Sequence, residues 1–555
     1  MTTCAPPSPL SVEKVIIQNF KSYKGRFELK LNEGLNIIVG DNEAGKSTIL
    51  EAINLALTGQ LNGRYLKNEL SQYLFNIDII EEYCDSLKTS DPLPLPSILI
   101  ELYFKDYPIF KGTNNSEKSD KCGLYFSIEF DENYNDAYKK MCSSEEISTL
   151  PIEYYKIVWK SFSFDSLIPR QIPLKSSFIN SSETRFSNGS DIYLSRIIKD
   201  SLEDDQKIDL AQCYRRMVEI FAGEDAVKAI NDKIAEQTEI SSKPIELSVE
   251  ITSTTAWEKI LTTYLDRVPF QQIGRGEQCI VKTNLALTHK RSTVANMILI
   301  EEPENHLSHS NLNRLLAYIK NKCGGKQIII TTHSSFVANK LGLEDLILIN
   351  NKKTISLKDL HKDTHDFFSK LPGYDTLRLL LSDKAILVEG DCDELVIQKI
   401  YLNQYCERLP IEDGIDVISV GLSYKRFLEI AKKIDKKVAA VRDNDGKIQS
   451  IQENDKDYLK GNNDTQIVFY DSKEHKYQGK IESYNYNTLE PCLLRANSID
   501  TLNSILGKKF KTEDELLSYM KNNKTDCALK IFDTKIPFNP PKYIEQAIEF
   551  IHEKE

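Results

Sequence analysis

Several features are missing from this 555-residue sequence, and each absence removes a class of protein. No apolar run reaches the roughly 18 residues a membrane-spanning helix needs, so a chain that crosses a bilayer is not expected. The opening MTTCAPPSPLSVEK carries no basic segment followed by an apolar one, so nothing there marks the chain for secretion. Eleven cysteines are scattered without one C-x-x-C pair, and the odd total argues for reduced thiols and a cytoplasmic protein. Internal repeats and low-complexity tracts are also lacking. Positive charge is in deficit, 71 Lys and Arg against 82 Asp and Glu, a net −11 that counts against a non-specific coat for nucleic acid. The sum leaves open a protein that concentrates carboxylates at one site and holds phosphates in a local basic groove.

What is present fits a soluble globular protein, with 41% hydrophobic and 28% charged residues and a length that implies about two to four domains. The stretch LNIIVGDNEAGKST reads as an apolar strand, a loop running from Gly40 to Ser47, and an amphipathic helix from about Thr48. That is the complete G-x-x-x-x-G-K-[ST] pattern in its strand, loop, helix setting. Gly40, Asn42 and Gly45 belong to a loop whose backbone N–H groups can curl round phosphate oxygens at a helix N-terminus. Lys46 supplies charge to the β and γ phosphates, Ser47 can ligate magnesium, and Thr48 opens the helix. ATP with Mg2+ is therefore the expected ligand.

Such a loop needs an acidic strand. NMILIEEPENHLS supplies a fully apolar run, Met297 to Ile300, ending in Glu301 and Glu302. Glu301 would hold the magnesium and Glu302 would polarise the attacking water. About 30 residues on, KQIIITTHSSF repeats the pattern and ends at His333, placed to bond a γ-phosphate. Upstream, Gly274-Arg275-Gly276-Glu277-Gln278 opens a helix whose backbone suits an anion, and its place just before the acidic strand gives Gly274, Gly276 and Gln278 a nucleotide-binding role.

A second group lies towards the other end. DKAILVEGDCDELV is an apolar strand ending at Glu389-Gly390, then a helix with Asp393 and Glu394 in its first turn. IDVISVGLSYKRF is strand, Gly421, helix; KKVAAVRDNDGK is a strand followed by Asp443 and Asp445. Alternating strands and helices predict a small parallel sheet whose functional groups gather at the carboxyl ends of its strands. Asp-Asn-Asp-Gly is also a strong turn signal. In the extended reading, Asp443 and Asp445 share one side of the strand and aim both carboxylates at one point, together with Glu389, where one or two divalent cations would relieve their repulsion. An EF-hand is excluded, because Ile448 and Asn454 stand where its glycine and glutamate would be.

Taken together, GDNEAGKST, GRGEQ, ILIEEPENHLS and TTHSS resemble the ABC-type ATPase heads of the RecF, SMC and Rad50 group. Joined to E-G-x-x-D-E, Gly and D-x-D, the order of motifs resembles the OLD (overcoming lysogenization defect) family of ATPase–Toprim nucleases. The resemblance implies an α/β fold with an ABC-type head over residues 1–190 and 246–360, a helical dimerisation insert over 191–245, and a Rossmann-like Toprim domain over 375–555. It implies Mg2+ or Mn2+, in two ions, on Glu389, Asp443 and Asp445, with Asp393 and Glu394 towards a second ion, and it adds Glu490 as a late acidic ligand and Lys524 as a cation for transition-state charge. The signature Ser is Gly274 here and the usual Walker B Asp is Glu301, so nucleotide binding with slow hydrolysis is expected. One phosphate loop and one signature helix make half of a shared site, which implies a homodimer or larger assembly. The resemblance further implies an ATP-regulated DNA endonuclease in anti-phage defence, with a helicase or a retron reverse transcriptase and its DNA as possible partners. The alternatives are a Toprim ribonuclease acting on tRNA or rRNA, and a RecF-like repair ATPase.

Overall fold

The computed structural model describes residues 10–41, 43–61, 64–89, 91–144, 148–180, 186–187, 190–191, 202–236, 263–288, 296–305, 307–322, 325–370, 376–475, 481 and 484–553. It forms two compact units. The first comprises Met1–Ile38, Asn42–Thr332 and Asn351–Thr354; the second comprises Val39–Asp41, His333–Asn350 and Ile355–Glu555.

Two sheets organise the first unit. Strands β1 (Val12–Gln18) and β2 (Arg26–Lys30) form an antiparallel hairpin, and β3 (Leu35–Gly40) leads into the phosphate loop and helix α1 (Lys46–Thr58). Strands β4 (Ile98–Phe104), β5 (Lys121–Phe130) and β6 (Tyr155–Ser161) extend the hairpin into an antiparallel sheet in the order β2-β1-β4-β5, with β6 on β5. Four strands of the second sheet pair in parallel. This sheet adds β7 (Ser176–Asn180), β8 (Met297–Glu301) and β9 (Gln327–Thr331) to β3, in the order β7-β8-β9-β3. Every residue of β8 and of β9 is buried, as expected where both faces of a parallel sheet are covered.

Between β7 and β8 lie the helices α2 (Asp204–Gly223), α3 (Asp225–Glu236) and α4 (Arg275–Thr288). Tyr214 and Val218 of α2 are buried against Leu202, Leu210 and Ala211, while Ile208, Met217, Ile220 and Phe221 stay exposed. The strand expected at IELSVEIT and both ends of the expected helical block from Leu194 to Gln237 lie outside the described residues.

The second unit holds a four-stranded sheet. Strand β10 (Lys384–Val388) feeds helix α5 (Asp391–Gln404), β11 (Ile415–Ser419) feeds α6 (Tyr424–Lys433), and β12 (Val438–Val441) and β13 (Gln466–Phe469) follow. All pairings are parallel, in the order β11-β10-β12-β13. Helices α7 (Leu489–Ala496), α8 (Lys524–Asp533) and α9 (Lys542–His552) contribute Leu493, Ile531 and Ile548 to the core that also contains Ile386 and Ala439. The strand order reverses between β10 and β12. In an open parallel sheet the crevice forms at such a reversal, outside the carboxyl ends of the strands. The expected α/β architecture, a phosphate-loop unit followed by a parallel-sheet unit, is the observed one.

Candidate active site

The phosphate loop is braced from the residues that follow β1. Gly45 caps α1 with φ 90°, and a Cβ there would fall 2.7 Å from Ser22 Oγ and 2.8 Å from the Tyr23 ring, so only glycine fits. The Tyr23 hydroxyl donates to the carbonyls of Ala44 at 3.2 Å and Gly45 at 3.3 Å, and Ser22 Oγ donates to Thr48 Oγ1 at 3.1 Å. Helix α1 starts at Lys46, two residues before the position expected from sequence, and Lys46 is buried. The N–H groups of that first turn, Ser47 and Thr48 among them, are not used by the helix's own i to i−4 ladder and form a partial positive end suited to phosphate. Asn42 lies outside the described residues.

Strand β8 brings the buried Glu301 into register with Thr331 of β9. Glu302 then turns out of the strand with φ 42°; its N–H donates to the Thr331 carbonyl at 2.9 Å, and its Oε2 accepts from Asn305 Nδ2 at 2.6 Å. Asn305 thus orients the carboxylate, a role the sequence reading did not assign. His333 follows Thr332 and falls in the second unit, just before the helix Ser335–Leu341 that Ser334 caps. At the start of α4, Gly274 is exposed. Gln278 is buried instead of presented: its Nε2 donates to the carbonyls of Phe270 at 2.8 Å and Ile273 at 3.2 Å, so its amide holds the loop that precedes its own helix.

The carboxylates of the second unit meet at the reversal between β10 and β12. Glu389 follows β10, and Asp393 in the first turn of α5 accepts the Gly390 N–H at 2.9 Å. Asp443 and Asp445 follow β12, but strand alternation does not place them. The chain leaves extended geometry, with φ 51° at Asp445 and 70° at Gly446. Asn444 anchors this turn: its side chain is buried, donates to the carbonyls of Asp471 at 2.6 Å and Lys473 at 2.9 Å, and accepts the Gly446 N–H at 2.9 Å. The turn alternative allowed by Asp-Asn-Asp-Gly is the observed one, and the turn still directs charge at the same place.

Burial, followed by the charges of Asp393, Glu389, Glu490 and Asp445, holds the Asp443 carboxyl well above the usual carboxylate range. Burial also raises Glu389, with the Arg442 guanidinium opposing and Asp393 and Asp445 adding to the rise. Asp393 is pushed up to about 6, first by burial and then by Glu490 against the lowering effect of the Gly390 N–H and Lys524. Glu490, buried on α7, pairs with Lys524 Nζ of α8 at 3.0 Å and accepts from Thr488 Oγ1 at 3.0 Å. Burial works against the charge on Lys524, but Glu490, Asp443 and Asp393 outweigh it and keep the ammonium pKa above its ordinary value.

Glu394 departs from the expected set. Adjacent helix residues point about 100° apart, and Glu394 turns away from Asp393 towards Arg378 at 3.5 Å, where Gln398 Nε2 also donates to it at 3.2 Å. Arg378 is fixed in turn by a fork to Asp416 at 2.6 and 3.0 Å. The group that converges is therefore Glu389, Asp393, Asp443 and Glu490, with Asp445 beside it and Glu394 outside.

Among the described residues no three His, Cys, Asp or Glu side chains stand in a ready metal cage. The donor chemistry nevertheless fits a hard divalent cation. Glu389 Oε1 is buried with no hydrogen-bond partner, and the guanidinium nearest it, Arg442 Nε, stands at 4.0 Å. A buried acceptor without a donor costs about 1–3 kcal/mol, and a cation would satisfy it. A pH dependence follows. Because Asp393 sits near 6 when folded and near 3.8 when unfolded, the cation-free fold binds the proton more readily. Its stability should rise as pH falls from about 6 towards about 4 and be lost as pH climbs back through 6. A cation relieves the repulsion among ionised carboxylates, so Mn2+ should raise the melting temperature more at about pH 7.5 than at about pH 5.5. Equal increments at both pH values would mean that the cluster is not where the cation acts.

Comparison with known proteins decides the class. A family model described as an AAA ATPase domain matches residues 11–338, more than half of the sequence. The chain belongs to the AAA ATPase domain family. A second model, the TOPRIM domain of overcoming lysogenization defect protein-like proteins, matches residues 380–445, from four residues before β10 to Asp445. Over nearly its full length the chain is similar to Endonuclease GajA of Bacillus cereus (strain HuB5-5), at 23% identity over 682 residues covering 98% of this chain and 96% of that protein. The DNA double-strand break repair Rad50 ATPase of Methanopyrus kandleri is 50% identical over 46 residues, 8% of this chain and 5% of that protein. An Smc head domain bound to the C-terminal domain of ScpA, derived from Pyrococcus furiosus, overlaps 65% of this chain and 99% of its own at 13% identity and TM-score 0.35, a likeness too loose to carry an argument.

Within the second unit three features escaped the sequence reading. Arg442 is held by the Tyr424 hydroxyl at 2.6 Å and the fully buried Asp455 at 3.4 Å, which also accepts from Lys425 at 2.9 Å. Asn444, between two noticed aspartates, looks in sequence like turn filler. Asn485 Nδ2 donates to Asp445 Oδ1 at 2.6 Å. The only signal for the last was the N-x-N spacing just before TLEP. Among the described residues no helix is long and apolar enough to cross a membrane.

Proposed function

We propose that this chain is an ATP-regulated, divalent-cation-dependent endonuclease that hydrolyses DNA phosphodiesters at the TOPRIM carboxylates. The observation that carries this reading is the convergence of Glu389, Asp393, Asp443 and Glu490, with Lys524 paired to Glu490, at the strand-order reversal between β10 and β12. Endonuclease activity in a relative aligned over nearly the whole chain supports it. Magnesium or manganese, in one or two ions held by Glu389, Asp443 and Asp445 with Asp393 and Glu490, would supply Lewis acidity for water and for a phosphodiester oxygen. The protein's own part is to hold these carboxylates convergent, so that a bound cation would favour their ionised forms, and to keep Lys524 charged where negative charge grows in the transition state.

In the ATPase domain Lys46, Ser47 and the Gly40 to Gly45 loop bind the nucleotide phosphates, Glu301 faces the magnesium and Glu302, oriented by Asn305, polarises water. His333 reads the γ-phosphate. The chain acts as a homodimer or larger assembly in which Gly274 and Gly276 of one copy close the nucleotide site of another, and the exposed apolar residues of α2 supply part of the contact. Domain limits of 1–190, 191–245, 246–360 and 375–555 accommodate these roles. A place in anti-phage defence, beside a helicase or a reverse transcriptase with its DNA, rests on family analogy.

DNA is preferred as substrate because the partial relative named above is a DNA double-strand break repair ATPase. Incubating the protein with Mg2+ or Mn2+ and plasmid, single-stranded DNA or total RNA separates the readings. Nicked or linear plasmid is expected, and none with a chelator. Cleaved RNA beside intact DNA would replace the proposal with a ribonuclease, and no cleavage of either would leave a repair ATPase.

ATP is expected to act as a state selector and not as fuel, since Gly274 and Glu301 point to slow turnover. Glu302→Gln keeps the size of the side chain and removes its charge, so it should hold ATP longer. Cleavage in this variant should shift strongly in one direction, and a non-hydrolysable analogue on the wild type should shift it the same way. If both treatments instead abolish a cleavage that requires turnover, the nucleotide drives a motor.

A further inference from the structure

Asp445 is the carboxylate of the site whose surroundings are most specific. It sits at φ 51°, a conformation that side chains other than glycine, asparagine and aspartate rarely adopt, and it is exposed. One of its two oxygens is already engaged: Oδ1 accepts from Asn485 Nδ2 at 2.6 Å. The amide that does this is itself oriented. Asn485 Oδ1 accepts the Asn487 N–H at 3.0 Å, which leaves the nitrogen end of the amide facing Asp445. Asn487 is buried, and its own Oδ1 accepts the His475 N–H at 2.7 Å. A Cβ at Gly446 would stand 3.3 Å from Asn487 Nδ2, so the turn that carries Asp445 packs closely on this N-x-N segment. Asn444 ties the same turn down from the other side through Asp471 and Lys473.

We propose that Asn485 sets the cation preference of the site by reserving one oxygen of Asp445, so that Asp445 offers a cation a single ligand. The inference rests on the carboxylate reading above and deepens it. Magnesium and manganese take six ligands at short range, and one oxygen per carboxylate suits them; calcium takes six to eight and gains from a carboxylate that binds through both oxygens. Holding Oδ1 on an amide therefore disfavours calcium more than it disfavours the smaller ions. Asn485 is a specificity-determining residue that acts through Asp445 and need not touch the cation.

The test is isothermal titration of Mn2+ and of Ca2+ into the full chain, which needs no cleavage. The wild type should bind Mn2+ more tightly than Ca2+. Asn485→Ala should narrow that ratio by about tenfold, with Mn2+ affinity falling by the amount that removing an outer hydrogen-bond partner of a metal ligand produces while the freed oxygen of Asp445 compensates for Ca2+. Asn485→Gln, which keeps the donor, should retain most of the wild-type ratio. Should the alanine variant fail to fold, Asn485→Ser removes the amide with little change in polarity and is expected to narrow the ratio in the same sense. A purely structural role would weaken both cations together and leave the ratio unchanged, and that result overturns the proposal. Failure of the underlying reading has a different signature: the wild type binds neither cation, or Asp443→Ala binds both as the wild type does.

Discussion

Asp443→Ala should lower cation-dependent DNA cleavage by about three orders of magnitude, roughly 4 kcal/mol of transition-state stabilisation, while ATP binding stays at wild-type affinity. Asp443 is the carboxylate on which the charges of Asp393, Glu389, Glu490 and Asp445 all bear, so it stands at the centre of the group and not on its rim. Removing it deletes the ligand that the others surround. Glu389→Ala should behave alike, because it removes the buried oxygen that has no other partner. Neither change touches Lys46 or Glu301, which belong to the other unit. Plasmid nicking with Mg2+ or Mn2+, beside binding of a labelled nucleotide, measures both halves. In the cation-free protein the Asp443→Ala change should also raise the melting temperature, since it relieves a buried repulsion. Nicking that persists in both variants would sink the assignment.

Lys46→Ala has the complementary effect. Lys46 is buried in the first turn of α1, directly after a glycine cap that admits no other residue. A lysine that makes charge-assisted bonds to two phosphates contributes about 2–4 kcal/mol, so nucleotide affinity should fall by roughly 30- to 1000-fold. Cleavage in this variant should then lose its response to ATP while keeping its response to Mn2+. Normal ATP affinity in Lys46→Ala would mean that the phosphate loop is a chance match.

Much of this was legible in the sequence because local chemistry dictates it. The run from Leu35 through Lys46 carries its own turn, anion cradle and helix start, and the apolar runs at 297–300, 385–388 and 438–441 announce buried parallel pairing. What escaped depends on contacts between distant segments. No spacing rule tells that Tyr23 braces a loop twenty residues on, or that Asn485 reaches back to Asp445 across forty positions. Two local readings needed the fold to decide them. The sequence leaves Asp443 and Asp445 open to an extended strand or a turn, and the chain turns at Asp445, where Asn444 bonds the carbonyls of Asp471 and Lys473. The resemblance groups Glu394 with Asp393, but the helix turns the two side chains apart and Arg378 claims Glu394.

The most direct measurement is anomalous scattering from a crystal of the protein soaked in Mn2+. The account predicts a peak enclosed by Glu389, Asp393, Asp443 and Glu490, with Asp445 reaching it through one oxygen, and no such peak in Asp443→Ala. A wild-type map with no density among these carboxylates at a saturating Mn2+ concentration, or with manganese bound only elsewhere, would contradict it.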